Sequence, residues 1–300
     1  MSNIDTFWAT PAVRALRERA EQAEAGGDLD AALQAWDELV AFHPAERGGW
    51  SLRGLFLERC GRYAEALASF RRSTTIGTNS PHDNYPDHYN AATMLLHLGR
   101  PAEALTELDA CIACNDRYAQ AWCNRGISLT QLGRHADARA SFERAESLDD
   151  RLANAFRCHA ILLAQLGELD AAATLRARVA ALEPASAASH LDLAHALAAA
   201  HDDQYVHWEP GGIEEQIVEA IERGLALICN DRQRRWGWTE KVWRLQRIAH
   251  GRQASRRAGL AIDERPAIAR YLAAAGAAVE LFPDETWFAE QLADARSLGD

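Results

Sequence analysis

The sequence predicts an all-α fold: a solenoid of antiparallel helix hairpins with a degenerate helical end toward the C-terminus. Three features in one register carry that prediction. Glycines recur at a fixed step: Gly27 to Gly61, Gly99 to Gly133 and Gly133 to Gly167 are each 34 residues apart. Gly61 to Gly99 is 38, so about four residues are inserted there. An alanine follows each of these glycines after five residues, at Ala32, Ala66, Ala104, Ala138 and Ala172. Two apolar columns keep the same step: Trp36, Phe70, Leu108 and Phe142, broken at Arg176, and Leu16, Trp50, His88, Trp122 and Phe156. A period of roughly 20–50 residues marks a chain in which each unit buries its apolar face on its neighbours.

Each element of the unit has a physical reason. The first helix opens at the Leu16-to-Phe156 column and ends at the glycine, which takes the left-handed conformation at little steric cost. The second helix carries the alanine, where two helices cross closely and a larger side chain would separate them. Aromatic side chains fill the space between neighbouring hairpins. Pro44, Thr78, Asp116, Asp150 and Pro184 close the units, and a proline there stops the second helix.

The stretches WSLRGLFLERCGRYAEALASF (50–70) and WCNRGISLTQLGRHADARASF (122–142) resemble the tetratricopeptide repeat. That pattern runs Trp, Leu-Gly, Tyr, a Gly turn, Ala, an aromatic residue, Ala and Pro. The resemblance covers residues 13–186 as five units, with 1–12 as a lead-in. It implies a right-handed superhelix whose first helices line a concave groove. It also implies a role in holding an extended peptide or a partner's helix rather than in catalysis, although one fold serves many processes.

Past residue 186 the period fails. A sixth hairpin is expected over 187–231, beginning with HLDLAHALAAA (190–200) and resuming as IEEQIVEAIERGLALICND (213–231), with a loop inserted at 201–212. Residues 232–300 read as a basic, Trp-rich helix, a degenerate hairpin and a capping helix, which a solenoid needs to shield its terminal core. A helix over 239–257 would place Trp238, Val242, Leu245 and Ala249 on one face, and a last pair is expected at 264–281 and 284–298.

Composition bounds the function. Hydrophobic residues make up 48% and charged residues 25% of the 300, which is a globular balance. The net charge of −11 argues against general nucleic-acid binding. The start, MSNIDTFWAT, has neither a basic region nor an apolar stretch, so the cytosol is the expected compartment, and no apolar run is long enough for a bilayer. Six cysteines without a disulfide-framework spacing fit that compartment as free thiols. No Walker loop, Rossmann glycine pattern, nucleophile elbow or kinase signature occurs, so neither catalysis nor a cofactor is expected.

Aligned units place the candidate partner-binding residues on the first helices. They are Arg17 and Glu21 in the first unit, and Tyr89, Asn90, Thr93 and His97 in the third. The fourth contributes Gln120, Asn124 and Gln131, and the fifth Asn154, Arg157 and Gln165. Asn90 and Asn124 share one register, where the family resemblance implies amides that hold a ligand's backbone. An amide donates to a carbonyl and accepts from an N–H at once. The family's carboxylate clamp lacks its lysines here, with Glu21 where an Asn belongs. A protein or peptide partner is therefore expected; the oligomeric state is not legible.

Three other clusters carry alternatives. Residues 231–257 hold nine Arg/Lys against Asp231 and Glu240, net +7, leaving −18 for the rest of the chain. Arg234, Arg235, Trp238, Lys241, Arg244 and Arg247 could clasp an anionic ligand, or could be core and bridges to acidic repeats. His201, Asp202, Asp203, His207 and Glu209, and likewise His82, Asp83, Asp87 and His88, are metal-ligand types without a recognised spacing, so no metal is expected. Cys111 and Cys114 occupy packing columns of a second helix, whereas Cys123 and Cys158 fall on first helices and are expected near the groove surface.

Overall fold

The computed structural model describes residues 10–76, 84–201, 213–227, 238–249 and 265–299. Among them every regular element is helical, fifteen helices in all. The first eight are α1 Pro11–Ala25, α2 Leu29–Phe42, α3 Arg47–Arg59, α4 Tyr63–Thr75, α5 Tyr85–His97, α6 Pro101–Cys114, α7 Ala119–Gln131 and α8 His135–Leu148. Then follow α9 Ala153–Gln165, α10 Leu169–Leu182, α11 Ala187–His201 and α12 Ile213–Leu227. The helix over 238–249 is α13, and α14 Arg265–Leu281 and α15 Thr286–Gly299 complete the chain. The chain divides into two compact units, Met1–Cys158 and His159–Asp300, with the division inside α9.

In the first unit α1/α2, α3/α4, α5/α6 and α7/α8 pack as hairpins, and each of α2, α4 and α6 also packs on the next first helix. The periodic glycines make the hairpin turns. Gly27, Gly61, Gly99, Gly133 and Gly167 are the positive-φ residues among those described, at +77°, +71°, +68°, +72° and +79°. The residue after each glycine donates its N–H to a carbonyl in the last turn of the first helix, as Arg62 does to Leu57 and Arg134 to Leu129, both at 2.9 Å. This closure satisfies carbonyls that the helix end would leave unpaired.

The alanine column is buried, Ala32, Ala66, Ala104 and Ala138 being fully inaccessible. The two best-matching units show how tightly first and second helices meet. A Cβ on Gly54 would lie 2.6 Å from the Phe70 ring, and one on Gly126 would lie 2.5 Å from that of Phe142. The first and third units have Ala20 and Ala92 in that register, with Trp36 and Leu108 in the register of the phenylalanines, all buried in one core.

Hydrogen bonds recur with the repeat. The Trp50 indole N–H donates to the Pro44 carbonyl (3.1 Å) and that of Trp122 to the Asp116 carbonyl (2.8 Å). The two tryptophans thus tie the second and fourth units to the closing residue of the unit before. Arginine forms a second tie. Arg53 donates through Nε to Asp37 (2.7 Å) and through Nη1 to Ser69 (2.7 Å), and Arg125 does the same to Asp109 (2.8 Å) and Ser141 (2.8 Å). One fork-shaped guanidinium joins a first helix to its own second helix and to that of the preceding unit, a geometry an ammonium cannot reproduce.

In the second unit α10, α11 and α12 pack in sequence, and α14 pairs with α15. The aromatic column is broken where Arg176 stands, and its guanidinium reaches Asp192 (3.1 Å). His190 takes the tryptophan's place and keeps its bond, Nε2 lying 3.1 Å from the Pro184 carbonyl. The α12 helix turns Ile217, Ala220 and Ile221 toward α11. Its Val218 joins a core with Val242, Leu245 and Ala249 of α13, Tyr271 of α14, and Phe288 and Ala295 of α15. The expected apolar face of α13 is thus buried, and the last pair lies within a few residues of its expected bounds. The Tyr271 hydroxyl lies within hydrogen-bond distance of Gln291 (2.8 Å) and Asp294 (3.0 Å), with Gln246 on the same carboxylate (3.2 Å). Burial and that carboxylate both push the Tyr271 phenol up from its ordinary value.

Candidate functional site

The first helices of the first unit present a graded face. On α1, Arg17 and Glu21 are exposed and paired with each other at 2.7 Å. On α3 the registers of Tyr89, Asn90 and Thr93 hold Ser51, Leu52 and Leu55, and both leucines are partly buried against the core. On α5, α7 and the start of α9 the face turns to amides and hydroxyls: Tyr89, Asn90, Thr93, Gln120 and Asn124 are half-buried, and Asn154 is exposed. The residues that carry this gradient come from consecutive units, because the 34-residue step returns each position to the same face.

Two clusters join neighbouring first helices. The Asn124 amide donates to the Thr93 hydroxyl at a long 3.4 Å, while Thr93 donates to the Tyr89 carbonyl (3.0 Å). Burial raises the Tyr89 phenol, and hydrogen bonds with Thr93 and Asn124 partly offset this. The Tyr89 ring also meets Tyr118 edge-on, centroids 5.1 Å apart. In the second cluster the Asn154 amide nitrogen lies 3.7 Å from the Cys123 sulfur, and the Cys158 thiol donates to the Asn154 amide oxygen at 3.8 Å. Cys123 is 1% exposed, a correction to its expected place at the surface, because its position turns toward the neighbouring helix; Cys158 is half-buried. A hydrogen bond to Cys158, with burial, pushes the Cys123 thiol up, while the same bond holds Cys158 below the usual thiol range.

The other candidate residues stand apart from these clusters. His97 is exposed and stacks on Tyr63 of α4, centroids 4.5 Å apart. Gln131 is exposed and Arg157 half-buried. Gln165 is exposed and belongs to the second unit.

Of the metal-ligand types, the described Asp87 and His88 take separate partners. Asp87 is buried, with Arg47 at 3.0 Å and the Ser73 hydroxyl at 2.6 Å. His88 instead meets Glu107 (2.9 Å), which also takes Arg71 (3.2 Å). Burial alone would raise Glu107, but the bonds from His88 and Arg71 outweigh it and hold the carboxyl low. Among the described residues no three His, Cys, Asp or Glu side chains could share a metal ion. His82, Asp83 and the 202–209 set lie outside the described residues.

The basic segment divides. Arg244 is 2% exposed and paired with Glu240 (2.8 Å), so it is not a surface cation; it packs against the Trp243 ring, as does Arg247, at 4.5 and 4.9 Å. Lys241 lies over Trp238 (4.6 Å) and on Glu222 (3.2 Å), which is the bridging role. Arg247 is exposed, and Arg234 and Arg235 lie outside the described residues. Cys111 of the CxxC pair is fully buried, and burial pushes its thiol up to about 12. A cavity of about 620 Å³ in the second unit is lined by Ala177, Ala180, Pro184, His190 and Leu193, where an imidazole replaces the larger indole.

The sequence profile of the tetratricopeptide repeat matches residues 11–83 and 88–153. No curated protein matches the sequence significantly. Solved structures share the fold. A repeat-containing protein from Cytophaga hutchinsonii is 14% identical, with 92% of this chain and 99% of that one covered at a TM-score of 0.62. MamA from Desulfovibrio magneticus is 18% identical, over 58% of this chain and 97% of that one, TM-score 0.53. YrrB, described as a TPR protein with an unusual peptide-binding site, is 20% identical, over 63% and 98%, TM-score 0.50. No helix among the described residues is long and apolar enough to cross a membrane.

Proposed function

The chain is a tetratricopeptide-repeat protein, and on that premise we propose that it is a non-catalytic adaptor that holds a peptide or partner segment across α3, α5, α7 and the start of α9. The observation that carries this reading is the run of amides on successive first helices, half-buried at Asn90, Gln120 and Asn124 and exposed at Asn154. Asn124 and Asn154 spend their amides on contacts of 3.4 Å and 3.7 Å, long enough to be exchanged for a ligand without stranding a buried group. Leu52 and Leu55 next to them suit an apolar side chain of the same ligand. A face built from neutral amides and two leucines favours an extended segment read through its backbone. YrrB, of like fold, is described as having an unusual peptide-binding site. A pre-formed helical surface also keeps the ordering cost of binding low.

The test is a double substitution, Asn90→Ala with Asn124→Ala, in the purified full chain. Capture of the bound partner should weaken by about tenfold, some 1.4 kcal/mol for two amide contacts. Unchanged capture with unchanged helical content would reject this face as the binding surface.

A further inference from the structure

Cys123 and Cys158 stand 35 positions apart in sequence yet meet at the two ends of one amide. Asn154 reaches the Cys123 sulfur at 3.7 Å and receives the Cys158 thiol at 3.8 Å. They sit on α7 and α9, in adjacent repeats of the same compact unit. Their exposures differ in a way that assigns roles: Cys123 is 1% exposed, whereas Cys158 is half-buried and open to a small reagent. Arg157 lies beside Cys158 and favours its thiolate.

We propose that Cys123 and Cys158 are an oxidisable pair that closes to a disulfide between the first helices of the fourth and fifth repeats when the protein meets a low-molecular-weight disulfide. The Cys158 sulfur attacks one sulfur of the small disulfide, whose S–S bond breaks and releases one small thiol. The Cys123 sulfur then attacks Cys158 in the resulting mixed disulfide, forms the Cys123–Cys158 bond and expels the second small thiol. Two electrons and two protons pass from the protein thiols to the two released thiols. Asn154 loses its bond from the Cys158 thiol on closure. Any effect on partner capture rests on the groove reading above, whereas the linkage itself does not.

The full chain is incubated with oxidised glutathione, capped with N-ethylmaleimide, digested without reductant and mapped by mass spectrometry. The expected product is one linked peptide joining 123 to 158, two hydrogens lighter than its parts and lost on reduction. Cys111, fully buried, should be recovered capped. Cys123→Ser should trap glutathione on Cys158, because no resolving thiol remains. Cys158→Ser should leave Cys123 free of adduct. Recovery of both wild-type cysteines in capped form, a persistent glutathione adduct on wild-type Cys158, or linkage of either one to another cysteine would overturn the assignment.

Discussion

Gly126 and Phe142 meet so closely that neither identity can change alone. A methyl on Gly126 would stand 2.5 Å from the ring, so Gly126→Ala should cost about 1–3 kcal/mol of stability by forcing the two helices of the hairpin apart. In the third repeat the same registers hold Ala92 and Leu108, both buried in one core, which predicts a compensating partner. Phe142→Leu, destabilising by itself, should recover part of the Gly126→Ala loss, and a double-mutant cycle in urea should show a coupling of about 1 kcal/mol or more. Additive losses would mean that the ring does not set the helix spacing. The sequence showed glycine in this register at 54 and 126, but only the structure shows that the phenylalanine sixteen residues on is the reason.

At the scale of elements, the contacts between consecutive repeats are as periodic as the residues. Trp50 and Trp122 bond back to the preceding unit's close, and Arg53 and Arg125 fork between two second helices. Between the second and third repeats, where four residues are inserted, these ties give way to Arg47–Asp87 and Arg71–Glu107–His88. Glu107 titrates in this substitute tie. Its folded-state pKa lies below the unfolded one, so its contribution is present above the unfolded carboxylate value and lost as pH falls through the folded value. Glu107→Gln should therefore destabilise the protein at pH 7, and the difference from wild type should shrink below about pH 4.5 and close under more acid conditions. A gap constant from pH 7 to pH 3 would show that charge at Glu107 plays no part. Hairpin boundaries were legible because glycine, alanine and aromatic positions answer to backbone and packing rules. The substitute ties were not, since Asp87 and His88 look like metal ligands until the positions of Arg47 and Glu107 are known.

At the scale of the whole molecule, the repeat logic accounts for the first unit residue by residue and for the second only in part. His190 keeps the tryptophan's hydrogen bond without its bulk, Arg176 replaces an aromatic side chain with an ion pair, and α13 buries part of what the sequence shows as a basic run. A linear sequence gives charge and spacing, not which face turns inward, so Cys123 looked more accessible than it is and Arg244 read equally as surface or core. The proposed binding face was legible as a register of Asn and Gln, and the leucines of α3 and the thiol pair beside Asn154 were not, because apolar and sulfur side chains in a first helix read equally well as packing. The central claim is that a partner lies along the first helices of the first unit. The most direct test places a photo-reactive benzoylphenylalanine at Asn90, at Gln120 or, as control, at the exposed Arg144 of α8, and irradiates the full chain with its captured partner. Cross-links from Asn90 and Gln120 and none from Arg144 are the predicted result. Equal cross-linking from Arg144, or cross-links from Arg144 alone, would contradict the account.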